Sequence, residues 1–397
     1  MAAKPSIGPF QHLLLPLFLL FCFGGVFYTY YNHTLNLSRF SDVPVSTHEV
    51  CSDKCLSVFQ EIFIKNVTNS STLNNSLVKQ LPAITKPDVT DKNKENHDRD
   101  TVILIWSWPF GFIFKAESCS PQFGIKGCHF TDDRSQYHKA HGVMFHHKDI
   151  GDDLPNLLNM PRPHHQRWVW MNMESPDNSQ RWAGLDGLFN LTANYQRDSD
   201  VWVPYGRIRE ASEQDKPFEI PPKDKLVCWI VSNWNPNFRR VKYFNELSKH
   251  INIEAYGRHF NRYFSDDDYV ATLSSCKFYL SFENSNHKDY FTEKLFNPMK
   301  FGTVPVVLGP PRENYEEFIP AESFIHVDDF KSPQELAEHL TLLDQNQEAY
   351  EQYFTWRQHF TAEGLIFGLE HACHICDHVR KQKGYRVVTS LSKWYWG

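Results

Sequence analysis

The chain has 397 residues, 41% of them hydrophobic and 15% aromatic, enough to bury one large core or two ordinary ones. Its 41 basic residues against 47 acidic ones leave a net charge of −6, which argues against a nucleic-acid binder, where a basic surplus is usual. No internal repeat is evident, and low-complexity sequence is confined to the first quarter.

Leu13 to Tyr31 is a run of nineteen residues without a charge, about the length that spans a bilayer. Lys4 precedes it, and Tyr28, Tyr30 and Tyr31 stand where an interfacial aromatic belt would. A cleaved signal peptide is the alternative, but the run is longer than an ordinary apolar h-region and no A-x-A site follows. The segment therefore reads as a type II anchor, with residues 1–12 cytoplasmic and everything after 31 luminal. Residues 32–100 are rich in Asn, Ser, Thr, Lys and Asp and lack apolar periodicity, as a flexible stem would. Sequons begin at Asn32, Asn36, Asn66, Asn69 and Asn74, and one more at Asn190. Asn32 is too close to the bilayer to be used, so the glycosylation candidates are Asn36, Asn66, Asn69, Asn74 and Asn190.

From Thr101 onward short apolar runs alternate with helix-like segments. "VILIW", "VMF", "WVWM", "VWV", "LVCWIV", "IEAY", "FYLSF", "VPVVLG" and "FIHV" read as strands. Pro236–His250 and Asp268–Ser275 read as amphipathic helices, and Ser332-Pro333-Gln334-Glu335 is a capping box opening a helix toward Leu343. Such alternation predicts parallel α/β sheets. A polar break near "REASEQDKPFEIPPKDK" divides the region into two domains, 101–215 and 216–360, followed by a C-terminal segment, 361–397.

Ligands of open α/β sheets gather at the carboxyl ends of the strands, and polar clusters recur there. "WVWMN" runs into Met173-Glu174-Ser175, "VWV" into Pro204-Tyr205-Gly206, "LVCWIV" into Ser232-Asn233-Trp234, and "FYLSF" into Glu283-Asn284-Ser285. Arg240 follows one of these strands at a helix start, and Glu293-Lys294 opens the next helical segment. Backbone N–H groups at a helix start with a nearby Arg or Lys suit a bound anion. Neither GxGxxG nor GxxxxGK[ST] is present, so neither a dinucleotide fingerprint nor a P-loop is supported. Asp198-Ser199-Asp200 has the D-x-D form that metal-dependent transferases use, while Arg240 and Lys294 offer a metal-free phosphate clamp. Nine cysteines fit an oxidising compartment. Cys22 lies in the span and Cys51 and Cys55 in the stem, leaving six for the globular part. Cys373 and Cys376 have C-x-x-C spacing, which is compatible with zinc, a redox pair or separate disulfides.

The stretch "FENSNHKDYFTEKLFN", followed by "VPVVLGP", closely resembles the signature of the Golgi α-1,3-fucosyltransferases. The similarity continues through "GCHFTDDRSQY", "WVWMNMESP", "RDSDVWVPYG", "KLVCWIVSNWNP" and "ACHICDHV", from Ile103 to Trp396, and is most like the vertebrate fucosyltransferase nine branch. The resemblance implies a GT-B fold, two Rossmann-like domains facing a cleft, with 101–215 binding the acceptor and 216–360 binding GDP-fucose. It implies inverting transfer of L-fucose from GDP-β-L-fucose to O3 of N-acetylglucosamine in terminal N-acetyllactosamine of glycoproteins and glycolipids, making Lewis x structures without a catalytic metal. It places the protein in the Golgi membrane and allows a homodimer.

Carried over by position, the catalytic base is Glu174. The donor contacts are Tyr205, Ile230, Ser232, Asn233, Arg240, Tyr279, Asn284, Tyr290, Glu293 and Lys294. Phe112, Lys148 and Glu174 fall on the acceptor side, Phe112 where the nearest branch has Gln and Lys148 where "HHRD" is usual. The implied disulfides are Cys119–Cys373, Cys128–Cys376 and Cys228–Cys276. Pro298 stands where relatives carry a small helix former, and is expected to distort the helix that presents Lys294. Two rival readings are a glycosidase, which would need two carboxylates flanking the scissile bond, and a non-catalytic glycan-binding relative of the family.

Overall fold

The computed structural model describes residues 100–263, 266–382 and 384–397. The anchor at 13–31, the stem sequons, and Cys51 and Cys55 lie outside the described residues. Among the described residues no helix is long and apolar enough to cross a membrane.

Thirteen strands form three sheets among the described residues. The first sheet contains β1 (Thr101–Ile105), β2 (Cys128–Thr131), β3 (Gly142–His146), β4 (Arg167–Met171), β5 (Leu191–Asn194) and β6 (Val201–Trp202). All its neighbours are parallel, in the order β2-β1-β3-β4-β5-β6. A small antiparallel pair follows, β7 (Gly206–Glu210) with β13 (Phe360–Gly364). The second large sheet contains β8 (Lys225–Ile230), β9 (Ile253–Tyr256), β10 (Cys276–Phe282), β11 (Val304–Leu308) and β12 (Ile325–His326). It is again parallel, in the order β12-β11-β10-β8-β9.

A parallel sheet is covered on both faces, so its strands can be apolar throughout. That is why "TVILI", "WVWM" and "VPVVL" announce themselves, whereas β2, "CHFT", and the polar β7 and β13 do not. Strand β5, "LTAN", is fully buried yet too mixed to stand out. The expected strand "FIHV" shrinks to two residues, as does "VWV".

The helices used below are α1 (Cys119–Phe123), α2 (Arg239–Leu247), α3 (Glu293–Phe301), α4 (Pro333–Gln345), α5 (Leu369–Lys381) and α6 (Leu391–Trp396). The helix expected over Pro236–His250 is shorter because Asn235 builds a turn first. Its side chain accepts from Asn237 N at 2.9 Å and its carbonyl from Phe238 N at 3.0 Å. Ser332 caps α4 as its spacing predicts, accepting from Glu335 N at 3.2 Å. The reciprocal bond of the box is displaced by one residue, since Glu335 accepts from Lys331 N at 3.0 Å.

Both faces of the first sheet are closed by the end of the chain. Ile103, Ile105, Met144, Val169 and Leu191 pack against Ala372, Ile375 and Cys376 of α5. Leu104, Val143, Phe145, Trp168 and Trp170 pack against Leu391 and Tyr395 of α6. The second sheet is covered by α2 and α4 on the face carrying Trp229, Phe278, Leu280 and Phe282. Its other face carries Val307 and meets Leu295, Phe296 and Met299 of α3. Between the halves, Gly206 crosses Gly364 so closely that a Cβ on Gly206 would stand 2.3 Å from Phe296 Cγ and 2.5 Å from the Glu363 carbonyl. Only glycine fits that crossing.

Among the described residues three disulfides are closed: Cys119–Cys373, Cys128–Cys376 and Cys228–Cys276. The C-x-x-C pair of α5 thus bonds to α1 and to the start of β2, not within itself.

The sequon at Asn190 lies in the interior. Asn190 is 0% exposed, and its Oδ1 accepts from Trp168 N at 2.8 Å and from Arg162 Nη1 at 2.9 Å. Its Nδ2, the atom a glycan would occupy, donates to the Arg386 carbonyl at 2.6 Å. In the folded protein this residue, just before β5, ties β4 to the C-terminal segment.

Candidate active site

Strand order reverses direction once in each large sheet, between β1 and β3 in the first and between β8 and β10 in the second. The crevice at such a reversal, at the carboxyl ends of the strands, is where open α/β sheets bind ligands. In the second sheet it is flanked by Ile230, Ser232 and Asn233 after β8 and by Glu283 and Asn284 after β10. In the first it is flanked by the Trp108–Phe112 turn after β1 and by His146–Asp149 after β3, with Glu174 beside them after β4.

The two rims touch. Tyr290 OH donates to Glu174 Oε2 at 3.5 Å, and the hydroxyls of Ser175 and Ser285 are 2.6 Å apart. His287 Nε2 lies 3.0 Å from Asp177 Oδ2, and Arg197 N donates to Asp289 Oδ2 at 3.1 Å.

Glu174 is half-buried on a backbone held from both sides. Its N–H donates to Asn172 Oδ1 at 3.2 Å, and its carbonyl accepts from the Tyr395 hydroxyl. Below it Tyr290, 2% exposed, packs edge-on to Tyr195 at 5.1 Å and to Tyr205 at 6.2 Å, and Tyr205 OH donates to the Met173 carbonyl. Burial lifts the Glu174 carboxyl above its ordinary value of 4.5, opposed by the positive charges of Lys294 and Lys148. A carboxylate raised in this way is a better proton acceptor near neutral pH.

On the opposite rim Lys294 occupies the first turn of α3. Thr292 caps the helix, accepting from Lys294 N at 3.4 Å. Lys294 Nζ donates to Thr292 Oγ1 at 2.7 Å and lies 3.0 Å from Glu293 Oε1 and 3.4 Å from Glu283 Oε2. Burial alone would weaken its charge, but Glu283 and Glu293 hold the ammonium above the usual lysine range. Glu283, 2% exposed, also accepts from Thr292 N at 2.7 Å. Arg240, in the first turn of α2, is 4% exposed and donates through Nη2 to the Asn233 carbonyl at 2.5 Å. Its buried Nε has no hydrogen-bond partner, so a donor stands ready for an anion.

The remaining expected residues differ in depth. Ser232 and Asn233 are exposed, Ile230 and Asn284 partly so, and Glu293 projects from the first turn of α3. Tyr279, like Tyr290, is 2% exposed, with its hydroxyl 3.5 Å from the Ile230 carbonyl. On the first rim Lys148 is exposed and lies 4.9 Å from the Phe110 ring centroid, while Phe112 packs on the α5 side of the sheet.

Sequence reasoning missed three features here. Glu283 was legible only as a charge ending an apolar strand. Phe110 adopts φ +54°, fixed by its N–H to Asp149 Oδ2 at 3.0 Å, and Asp149 also holds His146 Nδ1 at 2.6 Å. Tyr395, two residues from the chain's end, braces Glu174. The D-x-D pair sits elsewhere: Asp200 accepts from Thr192 N at 2.8 Å and pairs with Arg386, and Asp198 accepts from Trp394 Nε1 at 3.0 Å.

Residues 98–206 match the family model for the fucosyltransferase N-terminal region, and residues 220–394 match that for glycosyltransferase family 10 (fucosyltransferase), C-terminal region. The 4-galactosyl-N-acetylglucosaminide 3-alpha-L-fucosyltransferase 9 proteins of Mus musculus and Homo sapiens are each 54% identical over 303 residues, 76% of this chain and 84% of theirs. A 3-galactosyl-N-acetylglucosaminide 4-alpha-L-fucosyltransferase of Pongo pygmaeus is 40% identical over 320 residues, 79% of this chain and 86% of that protein. Among solved structures, an alpha1,3-fucosyltransferase with GDP-fucose aligns over 75% of this chain and 96% of its own, with 15% identity and a TM-score of 0.47. Both family regions are matched in order, one on each parallel sheet and its rim, and the chain belongs to glycosyltransferase family 10, the fucosyltransferases.

Proposed function

We propose that the protein is an inverting 4-galactosyl-N-acetylglucosaminide 3-α-L-fucosyltransferase of GT-B architecture. It uses GDP-β-L-fucose as donor and the O3 hydroxyl of N-acetylglucosamine in terminal N-acetyllactosamine as acceptor, giving Lewis x structures. One observation carries this reading: a half-buried carboxylate of raised pKa, Glu174, closes against a rim that holds Lys294 and a buried arginine with an unpartnered Nε.

Glu174 takes the proton from the acceptor O3 as that oxygen bonds to C1 of fucose. The bond from C1 to the β-phosphate oxygen breaks on the opposite face, and GDP leaves with the electron pair. Arg240 and Lys294 meet the charge that develops on the departing diphosphate, where fixed donors need no reorganisation. Phe110, Phe112 and Lys148 line the acceptor side. A type II anchor at 13–31, a glycosylated stem bearing Asn36, Asn66, Asn69 and Asn74, and residence in the Golgi membrane complete the proposal.

The test is incubation of a soluble chain beginning near residue 95 with GDP-fucose and paired type 1 and type 2 acceptors. GDP release is followed and the product linkage read by NMR. Expected is α-1,3-fucosylated type 2 product with GDP in equal amount. Hydrolysis without transfer, or tight glycan binding without turnover, would replace this reading with a hydrolase or a lectin.

A further inference from the structure

A proline inside a helix removes one backbone donor and crowds the carbonyl four residues earlier. Pro298 is the sixth residue of α3, so the carbonyl deprived of its helical partner is that of Lys294. This carbonyl accepts a 2.6 Å hydrogen bond from the Ser281 hydroxyl instead. Ser281 lies on β10 and is 1% exposed. Its neighbours Leu280 and Phe282 point into the core under α2 and α4. Ser281 takes the other face, paired with Val307 on β11, where Leu295, Phe296 and Met299 of α3 pack. A hydroxyl in the middle of a buried strand is costly unless it is bonded, and here the bond goes to the one helical carbonyl that Pro298 leaves without a donor.

Two residues on, Glu283 holds the same helical turn through Thr292 N and the Lys294 ammonium. Ser281, on β10, thus holds the main chain of Lys294, and Glu283, the residue after the strand, its side chain. The distortion expected of Pro298 is absorbed at this point, and α3 runs from Glu293 to Phe301 without a break.

We propose that Ser281 is a positioning residue for the donor-phosphate cation, supplying to Lys294 the hydrogen bond that Pro298 cannot. The inference rests on the reading of Lys294 as a diphosphate ligand. Without Ser281 the Lys294 carbonyl loses this bond, the first turn of α3 loosens, and the ammonium is no longer held in place for the diphosphate.

The experiment compares the unmodified protein with Ser281→Ala, Pro298→Ala, the double variant and Lys294→Ala. GDP affinity is measured by calorimetry, kcat and KM for GDP-fucose by turnover, and folding by thermal unfolding. Ser281→Ala should raise the GDP Kd and the donor KM by roughly five- to tenfold, the scale of a buried acceptor left unsatisfied, with a smaller effect on kcat. Pro298→Ala should stay within about twofold of the unmodified protein. The double variant should return to about that level, because replacing the proline restores a backbone N–H and with it the i→i−4 bond to the Lys294 carbonyl. A merely structural role for Ser281 would not be rescued at position 298.

Unchanged GDP affinity in Ser281→Ala, or a defect that persists in the double variant, overturns the proposal. If Ser281→Ala fails to fold, the double variant must fold and bind GDP, and its failure also overturns it. Lys294→Ala separates the two readings. Unchanged GDP affinity there refutes the phosphate role of Lys294 and this inference with it, whereas weakened binding there beside an unaffected Ser281→Ala refutes the positioning role alone.

Discussion

Replacing Glu174 by Gln isolates the proton-acceptor role with little else disturbed. The main-chain ties of residue 174, to Asn172 Oδ1 and to the Tyr395 hydroxyl, do not depend on the side chain. The amide oxygen of Gln can still accept from Tyr290, whose bond to Glu174 is long at 3.5 Å. The variant should therefore fold and bind GDP-fucose with near-normal affinity. In the proposed mechanism what it loses is the base, and general-base removal costs on the order of 10²–10⁴ in rate. At about 1.36 kcal/mol per decade that is roughly 3–5 kcal/mol of transition-state stabilisation.

A pH profile adds a second signature of the same group. Burial raises the Glu174 pKa above 4.5, and the reactive form is deprotonated. Acceptor kcat/KM in the unmodified protein should therefore fall as pH drops through that raised value, and rise to a plateau above it. In Glu174→Gln this acid limb should disappear along with the rate. Initial-rate kinetics with saturating GDP-fucose measures both. Turnover above about a tenth of the unmodified rate, outside the range for loss of a general base, would show that another group takes the proton.

Arg240→Ala should weaken GDP binding as well as turnover, because the diphosphate is charged before and during reaction and Arg240 Nε lacks a partner to retain it; calorimetry with GDP checks this, and unchanged affinity would remove Arg240 from the phosphate site. Turnover should persist in EDTA, since Asp198 and Asp200 are committed to Trp394, Thr192 and Arg386; complete, metal-reversible loss would refute that expectation. Cys376→Ser should cost only about 3 kcal/mol in denaturant unfolding, because Cys119–Cys373 remains and the second bond then closes a ring of only about a dozen residues. Removing both bonds should cost about 8 kcal/mol by the same chain-entropy account, more than the two single losses together, and single costs that add up to the double cost would contradict it. Mass spectrometry of the chain expressed through a secretory pathway should find Asn190 unmodified, because its Nδ2 is bonded inside the fold; a glycan there would mean that this region is open when the sugar is added.

What the amino-acid sequence determined by itself was whatever local patterning can carry. Continuous apolar runs such as "TVILI" and "VPVVL" identify buried parallel strands because both faces must be covered. The polar clusters at their ends identify a rim for the same topological reason, and Ser332 and Glu335 mark a helix start through their own hydrogen bonds. The long "FENSNHKDYFTEK" match pointed to the family without any geometry.

The tertiary structure decided what depends on residues far apart in the chain. Asn190 satisfies a surface rule of three residues, yet Trp168, Arg162 and Arg386 bury it. Tyr395 reads as the end of a tail and proves to brace Glu174, because α6 closes the face of the first sheet on which Trp170 lies. The short β7 and β13 carry no periodic signal, since their pairing rests on a contact some 150 residues distant in sequence. Pro298 by its local rule predicts a damaged helix. The helix survives because Ser281, on a neighbouring strand, has a hydroxyl to give to the one carbonyl that the proline strands, and no local pattern encodes which carbonyl a distant side chain will reach.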